Sequence, residues 1–263
     1  MLATMTTEAD TDPAVGTVLA LHGIMASAET LTSLAAAWAG YGWRTVAVDL
    51  PGHGASPMPS TTGRHGDLIV DAVLEVAETI PGILVVYGHS AGGSVAAGVA
   101  AALGSRVSGV ILEDPYWLLP VSHVHDPAVA EQQVAWLAEA QRQSEADRIA
   151  AHRALWPGWN ELEFGPWSRA IAAVDPELVR AGDYIPTRGW PDQLRDLRTA
   201  GVPVLVVTGT DRTGVLEAHQ TLASDLGAEV VVLEGASHFV HLDQPTRFVE
   251  VTANALRKMT LPS

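Results

Sequence analysis

Cysteine is absent from the 263-residue chain, which removes disulfides, thiolate metal ligands and a cysteine nucleophile together and leaves the redox compartment open. Basic residues are scarce: 15 Lys and Arg stand against 30 Asp and Glu, a formal net charge of −15. Such acidity argues against nucleic acid and anionic membrane as partners, because both need a basic surface. It also disfavours a highly anionic substrate. No run of about 18 apolar residues occurs, so no membrane span is expected. Residues 1–14 have neither a basic n-region nor an apolar h-region, and they read as a disordered lead-in rather than a signal peptide. Cytoplasmic is then the default location. Internal repeats and low-complexity tracts are missing as well.

What is present is a globular composition, 48% hydrophobic, on a chain long enough for one domain with an inserted subdomain. Short β-branched runs alternate with Ala-rich stretches of helical period, a rhythm that predicts an α/β fold: a mostly parallel sheet flanked by helices. Strands are expected at 17–21, 44–48, 83–87, 107–112, 204–208 and 229–233, and helices at 29–39, 67–79, 91–103, 216–226 and 246–258. Between Asp114 and Thr199 the rhythm breaks. Ala130–Leu155 reads as one amphipathic helix, and Pro157, Pro166, Pro176, Pro186 and Pro191 punctuate the stretch between it and Thr199. This is too long for a βα connection. The expected organisation is a core at 15–114 and 200–263 with an inserted helical cap at 115–199. Six of the eight tryptophans fall in the insert. Most should hold a small helical layer together, while Trp117, Trp136, Trp159 and Trp167 are candidates to line a pocket beneath it.

The strongest local signal is Leu84-Val85-Val86-Tyr87-Gly88-His89-Ser90-Ala91-Gly92-Gly93. A hydrophobic strand runs into Gly-x-Ser-x-Gly and then into a small-residue helix, the pattern of a sharp turn that presents a serine hydroxyl above a sheet. A serine hydroxyl needs a general base. Of ten histidines, His238 is preferred because it follows the last predicted strand in a loop leading to the final helix. That position returns it to the C-terminal edge of the sheet, where open α/β sheets bind ligands. His241 is the local rival. His89 should be turned away from its neighbour Ser90, and His123 with His125 lack a third metal ligand. An oxyanion formed at Ser90 would need N–H donors. Ala91 at the helix start and Ile24 in the loop Leu21-His22-Gly23-Ile24-Met25 are the candidates, with Gly23 allowing the turn and His22 bracing it.

Leu21-His22-Gly23, Asp49-Leu50-Pro51-Gly52-His53-Gly54-Ala55-Ser56, Gly88-His89-Ser90-Ala91-Gly92 and Gly235-x-x-His238 together resemble the α/β-hydrolase superfamily, in its order and from about Val15 onward. The resemblance implies a serine hydrolase with no cofactor and no metal, but says little about substrate. Many members begin with an antiparallel hairpin, for which this chain has no evident room.

The acid that would orient His238 has two candidate positions. Most of the family carries it after the strand at 204–208, where this chain reads Gly209-Thr210-Asp211-Arg212-Thr213-Gly214 and Asp211 arrives one residue early. Some branches, including haloalkane dehalogenases and zearalenone lactone hydrolases, carry it after the strand at 107–112. Here that segment is Leu112-Glu113-Asp114-Pro115, with Asp114 24 residues after Ser90, similar to those branches. Asp114 is preferred to Asp211, with Glu113 third. The structural alternative for Asp114 is a carboxylate that caps the entry to the insert's helices, since Asp before Pro commonly starts a turn.

The resulting expectation is a hydrolase of carboxylic esters or lactones of an apolar, aromatic or alicyclic small molecule. A carbon–carbon bond hydrolase or lyase would use the same residues and is separated by its products. A hydrolase-like receptor for a hydrophobic signal is separated by single-turnover kinetics. A homodimer is left open.

Overall fold

The computed structural model describes residues 2–58, 64–117 and 127–260. Its strands are β1 (Thr4–Thr7), β2 (Gly16–Leu21), β3 (Trp43–Val48), β4 (Leu84–His89), β5 (Gly109–Glu113), β6 (Val204–Gly209) and β7 (Glu229–Leu233). They form one sheet in the order β1-β3-β2-β4-β5-β6-β7. All neighbouring pairs are parallel except β1 with β3. The chain moves outward from β2 to β3 and then returns to place β4 on the other side of β2. The C-terminal ends of β2 and β4 therefore flank a topological switch point, where open α/β sheets leave a crevice.

Both faces of the sheet are covered, which is why its parallel strands read as nearly continuous apolar runs. The period of two in side-chain direction sorts them. Val18 and Ala20 of β2 face α1 (Thr32–Ala39) and α11 (Pro245–Lys258), with Trp38, Phe248 and Leu256 in that layer. Leu19 and Leu21 face the opposite way, toward α2 (His65–Glu78) and α3 (Ala91–Leu103). Trp38 Nε1 donates to Thr252 Oγ1 at 3.0 Å and so locks α1 to α11.

Residues 4–7, expected inside a disordered lead-in, instead form β1, with Thr4 opposite Val48 and Thr7 opposite Thr45. The outer edge of β3 carries unpaired N–H and C=O groups, and a short β-branched segment satisfies them. Its side chains are largely exposed, so hydropathy could not reveal it. β1 adds one antiparallel strand to the mostly parallel sheet, but it pairs with β3 and not with β2, so the two do not form a hairpin.

Among the described residues five helices lie between β5 and β6: α4 (Pro127–Arg142), α5 (Glu145–Leu155), α6 (Glu161–Ala173), α7 (Pro176–Ala181) and α8 (Trp190–Thr199). The single helix expected at 130–155 is two, because Ser144 Oγ accepts from Asp147 N at 3.2 Å and caps a new start. The buried Arg148 bonds Ser168 and the carbonyl oxygens of Ala140 and Gln143, tying α4, α5 and α6 together. Val134, Leu137, Ile171, Val174 and Val179 form a small apolar core that packs on Ile24 and Met25 at the sheet's edge.

The end of the insert departs from its expected boundary. Trp190, Leu194 and Leu197 of α8 belong to the core against the sheet, because α8 is the crossover helix that feeds β6. Trp117 stacks on Trp190 with ring centroids 4.2 Å apart and an interplanar angle of 10°, so it is a core residue rather than a pocket wall. Among the described residues the remaining α-helices are α9 (Glu217–Asp225) and the one-turn α10 (Val240–Asp243), which precede α11. Among the described residues no helix is long and apolar enough to cross a membrane.

Candidate active site

Ser90 joins β4 to α3 with φ 55° and ψ −122°, a conformation rare for a residue with a Cβ. Neighbouring backbone over-determines it. Ser90 N donates to Glu113 O at 2.9 Å, and Ser90 O accepts from Tyr116 N and Gly93 N, each at 2.9 Å. A glycine is needed two residues on because the turn brings α3 against the end of β2: a Cβ on Gly92 would stand 2.2 Å from His22 O.

His238 lies in the loop after β7, and its Nε2 is 2.9 Å from Ser90 Oγ. On the other side its ring bonds Asp114 through Nδ1 and Oδ2. With Nδ1–H committed to a carboxylate, Nε2 is left to accept the serine proton.

Asp114 follows β5 directly, is fully buried and has φ 35°. Oδ1 accepts from Thr208 Oγ1 at 2.6 Å and Val215 N at 3.0 Å, and Oδ2 accepts from Gly214 N at 2.7 Å. Burial would raise its pKa. The bond and charge of His238, with Gly214 and Thr208, outweigh burial and hold the carboxyl below its ordinary value.

The loop after β6, where most of the resembled family carries its acid, here supplies N–H donors to Asp114. Asp211 is exposed, with Thr210 Oγ1 donating to it at 3.3 Å, and the structure does not bring it to His238.

Glu113, the third candidate, is turned to the other side of β5. It accepts from Tyr87 Oη at 2.5 Å, His241 N at 2.9 Å and His241 Nδ1 at 2.7 Å. Burial alone would raise the Glu113 pKa, but the charge and hydrogen bonds of His241, with Tyr87, bring it to about 2. For His241 the pull of Glu113 outweighs burial and raises its pKa. His241, the rival base, is thereby occupied as a buried ion-pair partner. His89 is held neutral by burial, with a pKa near 4, and its Nε2–H donates to His238 O at 2.9 Å.

The loop after β2 approaches Ser90 closely. A Cβ on Gly23 would meet His89 Nδ1 at 2.9 Å and Ser90 Cβ at 3.0 Å, so close contact is what requires glycine there. The left-handed backbone falls two residues on, at Met25 with φ 66°. His22 braces the loop from below. Its Nε2 accepts from Leu50 N at 3.0 Å and its Nδ1–H donates to Gly23 O at 2.8 Å. Burial, then the neighbouring His53, keep it neutral. Gly23 thus brings the loop that carries Ile24 against Ser90, and Ala91 opens α3, where N–H groups have no intrahelical acceptor.

A cavity of about 360 Å³ is lined by Ile24, Met25, Val129, Gln132, Gln133, Trp136 and Tyr184. Trp136, 52% exposed, stands at its wall. Trp159 and Trp167 are buried instead in an aromatic cluster with Phe164, Ala26 and Leu242, each with its ring centroid 5.2 Å from Phe239, the residue after His238. His123 and His125 lie outside the described residues.

The sequence does not single out Thr208, and it offers Glu113 and His241 only as separate alternatives, without the ion pair between them. Their signal was the run Glu113-Asp114 itself, since adjacent strand-end residues point to opposite sides and serve different partners.

Comparison with known proteins gives a consistent picture. A model described as the alpha/beta hydrolase family matches residues 18–251. The spectinabilin polyketide synthase system protein NorC of Streptomyces orinoci is 30% identical over 164 residues, covering 57% of this chain and 7% of that protein's length. An N-formylmaleamic acid deformylase from Pseudomonas putida S16 superposes with TM-score 0.76 at 20% identity, over 95% of this chain and 94% of that one. An esterase from Exiguobacterium antarcticum superposes with TM-score 0.75 at 16% identity, over 97% and 95%. At these identities the structural likeness establishes the fold alone.

Proposed function

The chain belongs to the alpha/beta hydrolase family, and on that premise we propose that it is a cofactor-free serine hydrolase of carboxylic esters or lactones. The observation that carries the reading is the continuous hydrogen-bonded line from Ser90 Oγ through His238 to the buried Asp114. Ser90 Oγ attacks the substrate carbonyl carbon as its proton passes to His238 Nε2. Asp114 holds the tautomer and stabilises the imidazolium. The N–H groups of Ala91 and Ile24 receive the oxyanion. Collapse of the intermediate expels the alkoxide, which takes the proton from Nε2 and leaves an acyl group on Ser90. Water, deprotonated by His238, attacks the acyl carbonyl, and the acid departs with Ser90 restored.

The cavity beside Ile24 and Met25 is the proposed seat for one arm of the substrate. Its walls mix the apolar Val129 and Trp136 with the amides of Gln132 and Gln133. This favours an apolar or aromatic group with one polar edge, in a volume at the small end of ligand sites. The esterase of known structure with the same fold is in keeping with ester chemistry.

Stoichiometric labelling by a fluorophosphonate, mapped to Ser90, together with multiple turnovers of an aryl ester, tests the reading. Ser90→Ala should abolish both. A protein that is neither labelled nor turns over any aryl ester would refute it, and tight ligand binding with a single slow turnover would point to a receptor.

A further inference from the structure

His238 is held at its backbone as well as its ring. Its carbonyl accepts from His89 Nε2–H at 2.9 Å. Before it, Ser237 N donates to Asp243 Oδ2 at 2.7 Å, and after it Phe239 N donates to Ser237 Oγ at 3.3 Å. Asp243, at the end of α10, therefore holds the residue before the histidine through its carboxylate and the residue after it through its backbone, Asp243 N donating to Phe239 O at 2.9 Å.

The second oxygen of Asp243 is used differently. Oδ1 accepts from the indole Nε1–H of Trp159 at 2.9 Å. Trp159 belongs to the helical insert, between α5 and α6, and is buried. Its ring stacks on Trp156 at 5.0 Å and meets the edge of Phe239 at 5.2 Å. One carboxylate thus joins the insert to the backbone N–H of the residue before the histidine.

We propose that Asp243 and Trp159 are positioning residues, which make the alignment of His238 with Ser90 depend on the seating of the insert. The proposal rests on the serine-hydrolase reading above. Neither residue touches the reacting atoms. Burial of the Trp159 ring could by itself hold the insert, but packing does not explain why its N–H and Ser237 N share one carboxylate. A substrate that fits beneath the seated insert reacts with the histidine in line. One that displaces Trp159 keeps its own contacts while the 237–239 segment loosens, so discrimination falls on kcat more than on KM. Misplacement of a catalytic group by about 1 Å can cost about 10²-fold in rate.

Trp159→Phe retains a buried ring and deletes the one donor. In the full chain, kcat for p-nitrophenyl acetate should fall about 10-fold with KM within about twofold, as expected for a lost charge-assisted hydrogen bond. The rate of fluorophosphonate labelling at Ser90 should fall in parallel. Asp243→Asn cannot accept from both donors and should lose at least as much. The double variant should be no worse than Asp243→Asn, because the two act as one unit. Unchanged kcat in both single variants, or losses that multiply in the double variant, would overturn the proposal. Equal labelling of wild type and Trp159→Phe would overturn it while leaving the serine-hydrolase reading intact. A wild type that neither labels nor turns over ester would instead refute that underlying reading.

Discussion

Replacing Asp114 by Asn isolates one charge with almost no change in volume. Oδ1 faces two donors, Thr208 Oγ1 and Val215 N, and Oδ2 faces Gly214 N and the His238 ring. An amide has one acceptor oxygen. If that oxygen takes the Oδ1 position, the new NH₂ group points at Gly214 N–H and at His238 Nδ1. The imidazole must then accept at Nδ1 and carry its proton on Nε2, where it can no longer take one from Ser90. The opposite orientation sets the NH₂ against Val215 N–H, so it offers no escape. Asp-to-Asn in a triad of this kind costs about 10⁴-fold in kcat, or about 5.5 kcal/mol. Initial rates on p-nitrophenyl acetate across a range of concentrations, with circular dichroism as a check on folding, measure the loss. Asp211→Asn is the control. Its carboxylate is exposed and receives one long bond from Thr210, so kcat should stay within about twofold. A folded Asp114→Asn variant with near wild-type kcat, beside an Asp211→Asn variant that loses it, would refute the assignment.

Three other outcomes are expected. Glu113, held at about 2 against an ordinary 4.5, contributes stability that is present above pH 4.5 and lost as pH falls toward 2, on the order of 3 kcal/mol. His241 is raised, so its share is present below pH 6.5 and lost as pH rises through its folded value. Glu113→Gln should therefore flatten the acid limb of a urea-unfolding stability profile, and a profile parallel to wild type would contradict this. Gly23→Ala pushes a methyl group into His89 and Ser90 and should lower kcat by about 10²- to 10³-fold through loss of the aligned Ile24 N–H, with the fold intact by circular dichroism; unimpaired kcat would remove that loop from the mechanism. Trp136→Ala, at the half-exposed wall of the cavity, should raise KM for a naphthyl ester by about 10-fold while leaving the thermal midpoint almost unchanged. If KM does not move, the cavity does not seat the substrate.

How much of this was legible in the chain depends on the range of the interaction. The elbow at Ser90 could be read because strand, glycine spacing and helix are contiguous, and the close contact of Gly92 with His22 is written as a missing side chain. The parallel strands declared themselves as apolar runs, since both of their faces are covered. β1 did not, because its threonines face solvent and its reason for existing is the open edge of β3. Trp117 and Trp136 looked alike in sequence. One became core and the other a cavity wall, according to where α8 and α4 came to rest.

Sequence by itself determined the fold family, the serine at the sheet's edge and the loop that returns a histidine to it, since each rests on local turn chemistry or on the period of burial. Tertiary structure decided which carboxylate meets that histidine. Asp114 and Asp211 both follow the C-terminal ends of neighbouring parallel strands, β5 and β6. The choice came from three donors, Thr208, Gly214 and Val215, that lie about a hundred residues away and converge on Asp114 alone. A buried charge survives where donors surround it, and no pattern along the chain records how many donors a folded loop will aim at one point.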